Sequence, residues 1–211
     1  EGGIQAVFAA LAAGNLGAAW QAIAKGSIWK DIFVSGQELV AGWLVAIGVG
    51  IPFGLALGWF RRLNYVFDPF ISALYATPSV ALLPLFIIWF GIGMNSKIAV
   101  IFMSSIFYVL LYSRVGVTTV DPNLLKAARS FGANDFQLLR TLILPSAVPY
   151  LMTGLRLSLG RALIGVVVGE MYAATAGVGY LITVAGATFQ TDRVFVGVLL
   201  ITFAGVGLTA V

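Results

Sequence analysis

The sequence predicts an all-α, polytopic bundle of membrane-spanning helices. Three observations carry that expectation. Hydrophobic residues make up 60% of the 211 and charged residues only 9%, where an ordinary soluble domain runs near half apolar and about a quarter charged. Mean hydropathy is +1.01. The apolar residues also gather into runs long enough to cross a bilayer as helices, with short polar segments between them. A soluble fold needs polar surface that this chain lacks, and a disordered chain needs the opposite bias.

Residues 1–33 read as an extracytoplasmic linker. They are Ala- and Gly-rich, interrupted by Asn15, Lys25, Lys30 and Asp31, and Gln5 to Ala13 has the character of a short interfacial helix. No basic segment followed by an unbroken apolar core marks a signal peptide. Further residues are expected at both ends, because the apolar run reaching Val211 is still in progress there.

Residues 34–211 read as the transmembrane domain. The first span, 34–60, covers roughly 40 Å as helix. Glu38 is its one charge, and Arg61-Arg62 stop it. Gly42, Ala46, Gly50, Gly54 and Gly58 recur every fourth residue, a small-residue ridge that lets another helix approach closely in lipid. That ridge serves either packing within the chain or a subunit contact. The second span, 66–90, carries Pro69, Pro78 and Pro84. Proline inside a helix frees carbonyls and bends it, so an unwound or kinked segment is expected at Thr77-Pro78-Ser79. Broken helices of this kind often line transport pathways.

The third span is 97–113, closed by Arg114. The fourth, 141–172, carries Arg156, Arg161 and Glu170. The fifth is 194–211. Five spans put the two ends on opposite sides. Arg61, Arg62, Arg114, Lys126, Arg129 and Arg140 then share one side, and Lys25, Lys30, Lys97 and Arg193 the other. The first group flanks the shorter loops, so the positive-inside rule places the 117–140 loop in the cytoplasm.

That loop is the most polar stretch between the spans. Asp121-Pro122 is a helix start, Asp as N-cap and Pro at the first helical position. Gly132 has the chemistry that ends a helix. Between them Leu124, Ala127, Ala128 and Phe131 fall on one face. A helix this short is marginal alone, and its apolar face needs a groove in its own protein or in a partner. Asn134 is placed to cap a second short helix, Asp135 to Arg140.

The motif Lys126-Ala127-Ala128, three residues, Gly132, nine residues, then Leu142-Ile143-Leu144-Pro145 resembles the signature loop of bacterial ABC importer permeases. The family form reads Glu-Ala-Ala-x3-Gly-x9-Ile-x-Leu-Pro. Lys126 stands where the family has Glu, which reverses a charge, and Leu142 stands where it has Ile. The similarity runs on through Asp68-Pro69, Thr77-Pro78, Leu83-Pro84-Leu85, Trp89-Phe90-Gly91-Ile92-Gly93, Gly154-Leu155-Arg156, Val168-Gly169-Glu170-Met171 and Gly177-Val178-Gly179. Over nearly all of residues 34–195 the chain is similar to the nitrate, sulfonate and taurine branch of the type I importer permeases.

The resemblance implies a type I permease architecture, with five core spans here and a sixth upstream, in the bacterial plasma (inner) membrane. It implies a homodimer with a second copy, two cytoplasmic ABC ATPase subunits, and a periplasmic or lipid-anchored solute-binding protein. The helix carrying Leu124, Lys126, Ala127, Ala128 and Phe131, ended by Gly132, would couple to the ATPase. The chain itself is expected to hold no cofactor, ATP and Mg being bound by the partner ATPase. It is not expected to be an enzyme. The branch's solutes are small and mostly anionic.

The residues taken alone agree with that division of labour. No segment matches a phosphate-binding loop. With no Cys and no His, metal sites and thiol chemistry are not expected. The dispersed basic residues form no nucleic-acid footprint. Candidates for a translocation pathway are Thr77, Pro78 and Ser79 at the break and the intramembrane Arg156, Arg161 and Glu170. As helix positions, Arg156 and Glu170 share a face but lie roughly 21 Å apart, and Arg161 is turned about 140° from Arg156. Each arginine has a structural alternative, snorkelling or bonding a loop. For Glu170 the alternative is pairing with loop groups near the outer mouth. An ion-coupled secondary transporter or channel, needing no ATPase, is the competing class.

Overall fold

The computed structural model describes residues 27–209, and among these every regular element is helical. The expected interfacial helix at Gln5 to Ala13, with most of the 1–33 linker, lies outside the described residues. We number the helices α1 (Ser27–Trp59), α2 (Arg61–Ala76), α3 (Leu83–Phe90), α4 (Met94–Thr118), α5 (Pro122–Ser130), α6 (Asp135–Leu138), α7 (Leu144–Ala173), α8 (Val178–Ala187) and α9 (Thr191–Thr209). A 3-10 turn, Ser79–Leu82, leads into α3, and a π turn, Leu139–Ile143, joins α6 to α7.

The central helix is α4, with α1 on one side and α7 on the other. Both contacts are made by small residues. The ridge on α1 faces α4: a Cβ added at Gly42 would meet Ile101 Cβ at 2.6 Å, at Gly50 Val109 Cγ1 at 2.9 Å, at Gly54 Ser113 Cβ at 2.6 Å, and at Gly58 Val117 Cβ at 2.6 Å. On α7, Gly154 leaves room for Tyr112, and Gly165 lets the backbone of Ile101 come close. In lipid no hydrophobic force drives helices together, so such close approach supplies the dispersion that holds them. The small-residue ridge is therefore an intrachain packing face.

Polar side chains fasten the same helices. Trp43 Nε1 donates to Ser158 Oγ at 2.8 Å, tying α1 to α7. Arg114 donates to Asn64 Oδ1 at 2.9 Å and pairs with Asp68, tying α4 to α2. With its charge met by Asp68, Arg114 does not close the third expected span, which continues as α4 to Thr118.

By length and apolarity α1, α4 and the rod Asp135–Ala173 can each cross a membrane, while α2 and the Ser79–Phe90 segment form a pair bent by 89°. Sequence spacing placed α6 apart from the fourth span, but the structure makes them one rod. A capping box starts it: Asn134 N–H donates to Gln137 Oε1 at 2.9 Å and Gln137 N–H to Asn134 Oδ1 at 2.8 Å. Pro145 offers no N–H to the turn before it. The chain widens there into the π turn, where Leu144 N–H reaches back to Leu139 O.

Candidate functional site

The break in the second span is built by Thr77 and Pro78. Pro78 has no N–H for the Leu74 carbonyl, so Thr77 N–H shifts to it at 3.2 Å. The Ala73 carbonyl, left without its usual donor, is taken by Thr77 Oγ1 at 2.9 Å. The Ala73 and Leu74 carbonyls are thus both satisfied by Thr77, and the chain turns sharply into the Ser79–Leu82 turn.

Beside this bend lies a cavity of about 430 Å³. Thr77, Pro78 and Ser79 form one wall, Ser104 and Tyr108 of α4 another, with Tyr75 and Arg161 of α7 also lining it. Ser104 Oγ lies 2.9 Å from Ser79 Oγ and 2.8 Å from Val100 O. Because Ser104 has one hydroxyl hydrogen, the consistent chain runs from Ser79 to Ser104 to Val100. Arg161 stacks on Tyr108, its Cζ 5.1 Å from the ring centre. Of the lining residues Arg161 alone carries a full charge. A polar wall with one stacked guanidinium is chemistry suited to a small anion.

Four of the six pathway candidates, Thr77, Pro78, Ser79 and Arg161, therefore meet at one cavity. Arg156 and Glu170 do not join them. Arg156 lies in a separate crevice among Trp43, Met152, Leu159 and Leu208. Glu170 is fully buried. Its carboxylate accepts from Ser35 Oγ at 2.5 Å and from Gly179 N–H at 2.7 Å, holding the turn between α7 and α8. Tyr75, Ser104 and Tyr108 were not anticipated as lining residues. Ser104 and Tyr108, four residues apart and so on one face of α4, were the signal available in the sequence.

At the polar loop, the Asp121 side chain accepts from Asn123 N–H at 2.8 Å and caps α5. Gly132 adopts φ +83°. With Ala133 N–H on Ala128 O at 3.1 Å and Gly132 N–H on Arg129 O at 2.9 Å, α5 closes in a Schellman-type end. Leu125 packs inward on Val117, Val120 and Ile143. Leu124 (52% exposed) and Phe131 (91% exposed) point away from the chain, and Lys126 and Ala127 are exposed beside them. Ala128 is half-buried. Among the described residues, no group of three or more acidic, His or Cys side chains is placed to hold a metal ion.

An apolar helical bundle with a bent, proline-broken span and an outward-facing capped helix has the architecture of a polytopic membrane subunit. Residues 50–211 match the family described as the binding-protein-dependent transport system inner membrane component, and the chain belongs to that family. It is 36% identical over 175 residues to the taurine transport system permease protein of Escherichia coli (strain K12), covering 83% of this chain and 64% of that one. It is 36% identical over 185 residues to a putative aliphatic sulfonates transport permease protein of Bacillus subtilis (strain 168), covering 88% and 66%. It is 35% identical over 200 residues to the riboflavin transport system permease protein of Chloroflexus aurantiacus, covering 95% and 73%. The chain thus spans about two thirds of the length of the first two relatives. Its fold is similar to a solved amino acid ABC transporter, at TM-score 0.67 and 18% identity over 90% of this chain and 91% of the other. It is likewise similar to the MetNI methionine ABC transporter in an inward-facing form, at TM-score 0.65 and 19% identity over 87% and 93%.

Proposed function

We propose that the chain is the permease subunit of an ATP-binding-cassette importer, pairing with a second copy to form an alternating-access pathway. Two cytoplasmic ATPase subunits would bind ATP and Mg and drive it, and a solute-binding protein would deliver the cargo. The observation that carries this reading is α5. A short helix, capped at both ends, that turns Leu124 and Phe131 away from its own chain has an apolar face needing a groove elsewhere. Leu124, Lys126, Ala127, Ala128 and Phe131, with Gly132 setting the exit, form that docking face. The 117–140 region lies in the cytoplasm on this reading, and residues 1–33 on the outer side.

The cargo proposed is a small anion of the nitrate, sulfonate, taurine or aromatic-acid class. Arg161 supports this, as the charged residue lining the cavity at the Thr77–Ser79 bend. The taurine and sulfonate names of two relatives support it as well.

Reconstitution tests the reading. Vesicles containing the chain, its ATPase and its binding protein should take up labelled taurine or an alkanesulfonate only with ATP. Uptake by the chain alone under an ion gradient would establish the ion-coupled carrier or channel instead.

A further inference from the structure

The small hydroxyls at the bend differ in what their hydrogens already hold. Thr77 Oγ1 donates at 2.9 Å to the Ala73 carbonyl, whose usual donor, Thr77 N–H, has moved to Leu74 O at 3.2 Å. Turning that hydroxyl into the cavity would leave a carbonyl without its helical donor, a costly state inside a membrane protein. Ser104 is placed differently. Its hydroxyl donates to Val100 O at 2.8 Å, four residues back within α4. That carbonyl also lies in the backbone ladder of the helix, where Ser104 N–H serves it. The Ser104 hydroxyl hydrogen is therefore spare.

Ser79 Oγ sits 2.9 Å from Ser104 Oγ, and both residues line the cavity that holds Arg161. Two hydrogen arrangements satisfy this pair. In the first, Ser79 donates to Ser104 and Ser104 to Val100 O. In the second both hydroxyls rotate: Ser104 donates to Ser79, and the Ser79 hydrogen turns into the cavity. The second strands no carbonyl, because Val100 O keeps its backbone donor. It needs only an acceptor in the cavity. An anion held by Arg161 is such an acceptor, and a hydrogen bond to a charged partner is stronger than one between two neutral hydroxyls.

We propose that Ser79 is a cargo-binding residue, donating to one oxygen of a sulfonate or similar oxyanion whose charge Arg161 meets. Ser104 relays its own hydrogen to Ser79 as the cargo arrives. Thr77, on the same wall, is a structural cap and gives the cargo nothing. The inference rests on the reading of this cavity as the pathway for a small anion, and adds a second point of contact to it. One contact on the bend and one on α7 fix the orientation of an oxyanion, where a single guanidinium would only hold its charge.

The complete importer in proteoliposomes, supplied with saturating taurine-loaded binding protein, reports labelled taurine taken up per ATP hydrolysed. A cargo contact moves this ratio, whereas a residue that only holds the fold or the assembly lowers uptake and hydrolysis together. Ser79→Ala should lower the ratio about tenfold, the scale of one hydrogen bond to a charged group, with ATP hydrolysis retained. Ser104→Ala should leave the ratio near wild type, since the Ser79 hydrogen is then free for the cargo. Thr77→Val should lower the thermal stability of the complex and leave the ratio near wild type. Equal losses of the ratio in Ser104→Ala and Ser79→Ala would make the pair a latch on the bend and overturn the proposal. So would a ratio in Thr77→Val as low as that of Ser79→Ala, or a Ser79→Ala complex that fails to assemble or loses hydrolysis together with uptake. A normal ratio in Ser79→Ala beside a lowered one in Arg161→Gln would overturn this proposal and leave the cavity reading standing. A normal ratio in Arg161→Gln, or no taurine uptake by the wild-type complex, would end the cavity reading and this inference with it.

Discussion

The guanidinium of Arg161 lies 5.1 Å from the centre of the Tyr108 ring, and Tyr108 packs edge-on against Tyr75 at 6.1 Å. A cation over an aromatic face is attracted by the negative face of the ring's quadrupole. Tyr108 and Arg161 come from α4 and α7, so the placement of this charge depends on the close approach of those helices at Gly154 and Gly165. Small residues buried in the bundle thereby position a cation at the cavity beside the Thr77–Ser79 bend.

Removing that charge should weaken anion uptake more than it weakens the fold, because Arg161 is an exposed residue of the chain. Arg161→Gln is expected to lower ATP-dependent uptake of an alkanesulfonate about tenfold or more, equivalent to roughly 1.4 kcal/mol. Tyr108→Phe keeps the aromatic face and should cost less. Uptake into proteoliposomes, normalised to assembled complex, measures both. An Arg161→Gln complex with unchanged uptake would remove the cavity from the pathway.

Gly54 and Gly48 provide a matched pair on α1. A Cβ at Gly54 would meet Ser113 Cβ at 2.6 Å, while one at Gly48 finds nothing within 4 Å. Gly54→Ala should therefore cost about 1–3 kcal/mol through overpacking. Gly48→Ala should be neutral or stabilise by up to about 1 kcal/mol, as expected for helix propensity. Thermal unfolding in detergent decides between them, and equal effects would contradict the α1–α4 packing.

Much of this was legible in the sequence, for physical reasons. Helix class, the glycine ridge, the Asp121 and Gly132 ends of α5 and the break at Pro78 all follow from local chemistry. The continuity of α6 with α7 was not legible, because a capping box and a π turn carry the chain past Pro145, where simple periodicity stops. Lys97 reads as the charged start of a span, yet it is buried, because Glu38 of a distant helix neutralises it. Arg114 reads as a stop for the same reason, its partner Asp68 being invisible to a local reading. Charges near span ends look like boundaries until their long-range partners are known.

Phe131, 91% exposed, makes little contact with its own chain. Phe131→Ala should change the stability of the isolated subunit by no more than about 0.5 kcal/mol. On the proposed docking of α5, the same substitution should sharply reduce ATPase association and coupled transport, because it removes the apolar knob from that face. Co-purification of the ATPase and stimulated ATP hydrolysis are the measurements. Full coupling in Phe131→Ala would mean that α5 docks by another face.

Gly177 and Gly91 separate backbone strain from contact at the α7–α8 turn. Gly91 has φ +77° and ψ 173°, Gly177 φ +124° and ψ 165°, both in a region essentially reserved for glycine. A Cβ at Gly91 would project into open space, whereas one at Gly177 would lie 2.7 Å from Glu170 Oε2. That carboxylate cannot swing aside without breaking its bonds to Ser35 and Gly179. Gly91→Ala should therefore cost only the strain, about 1–3 kcal/mol. Gly177→Ala should cost that strain plus a further ~1–3 kcal/mol for the overlap. Unfolding of the two variants side by side gives the difference directly. Equal losses would mean that the turn is held by its own backbone and that Glu170 does not fasten it.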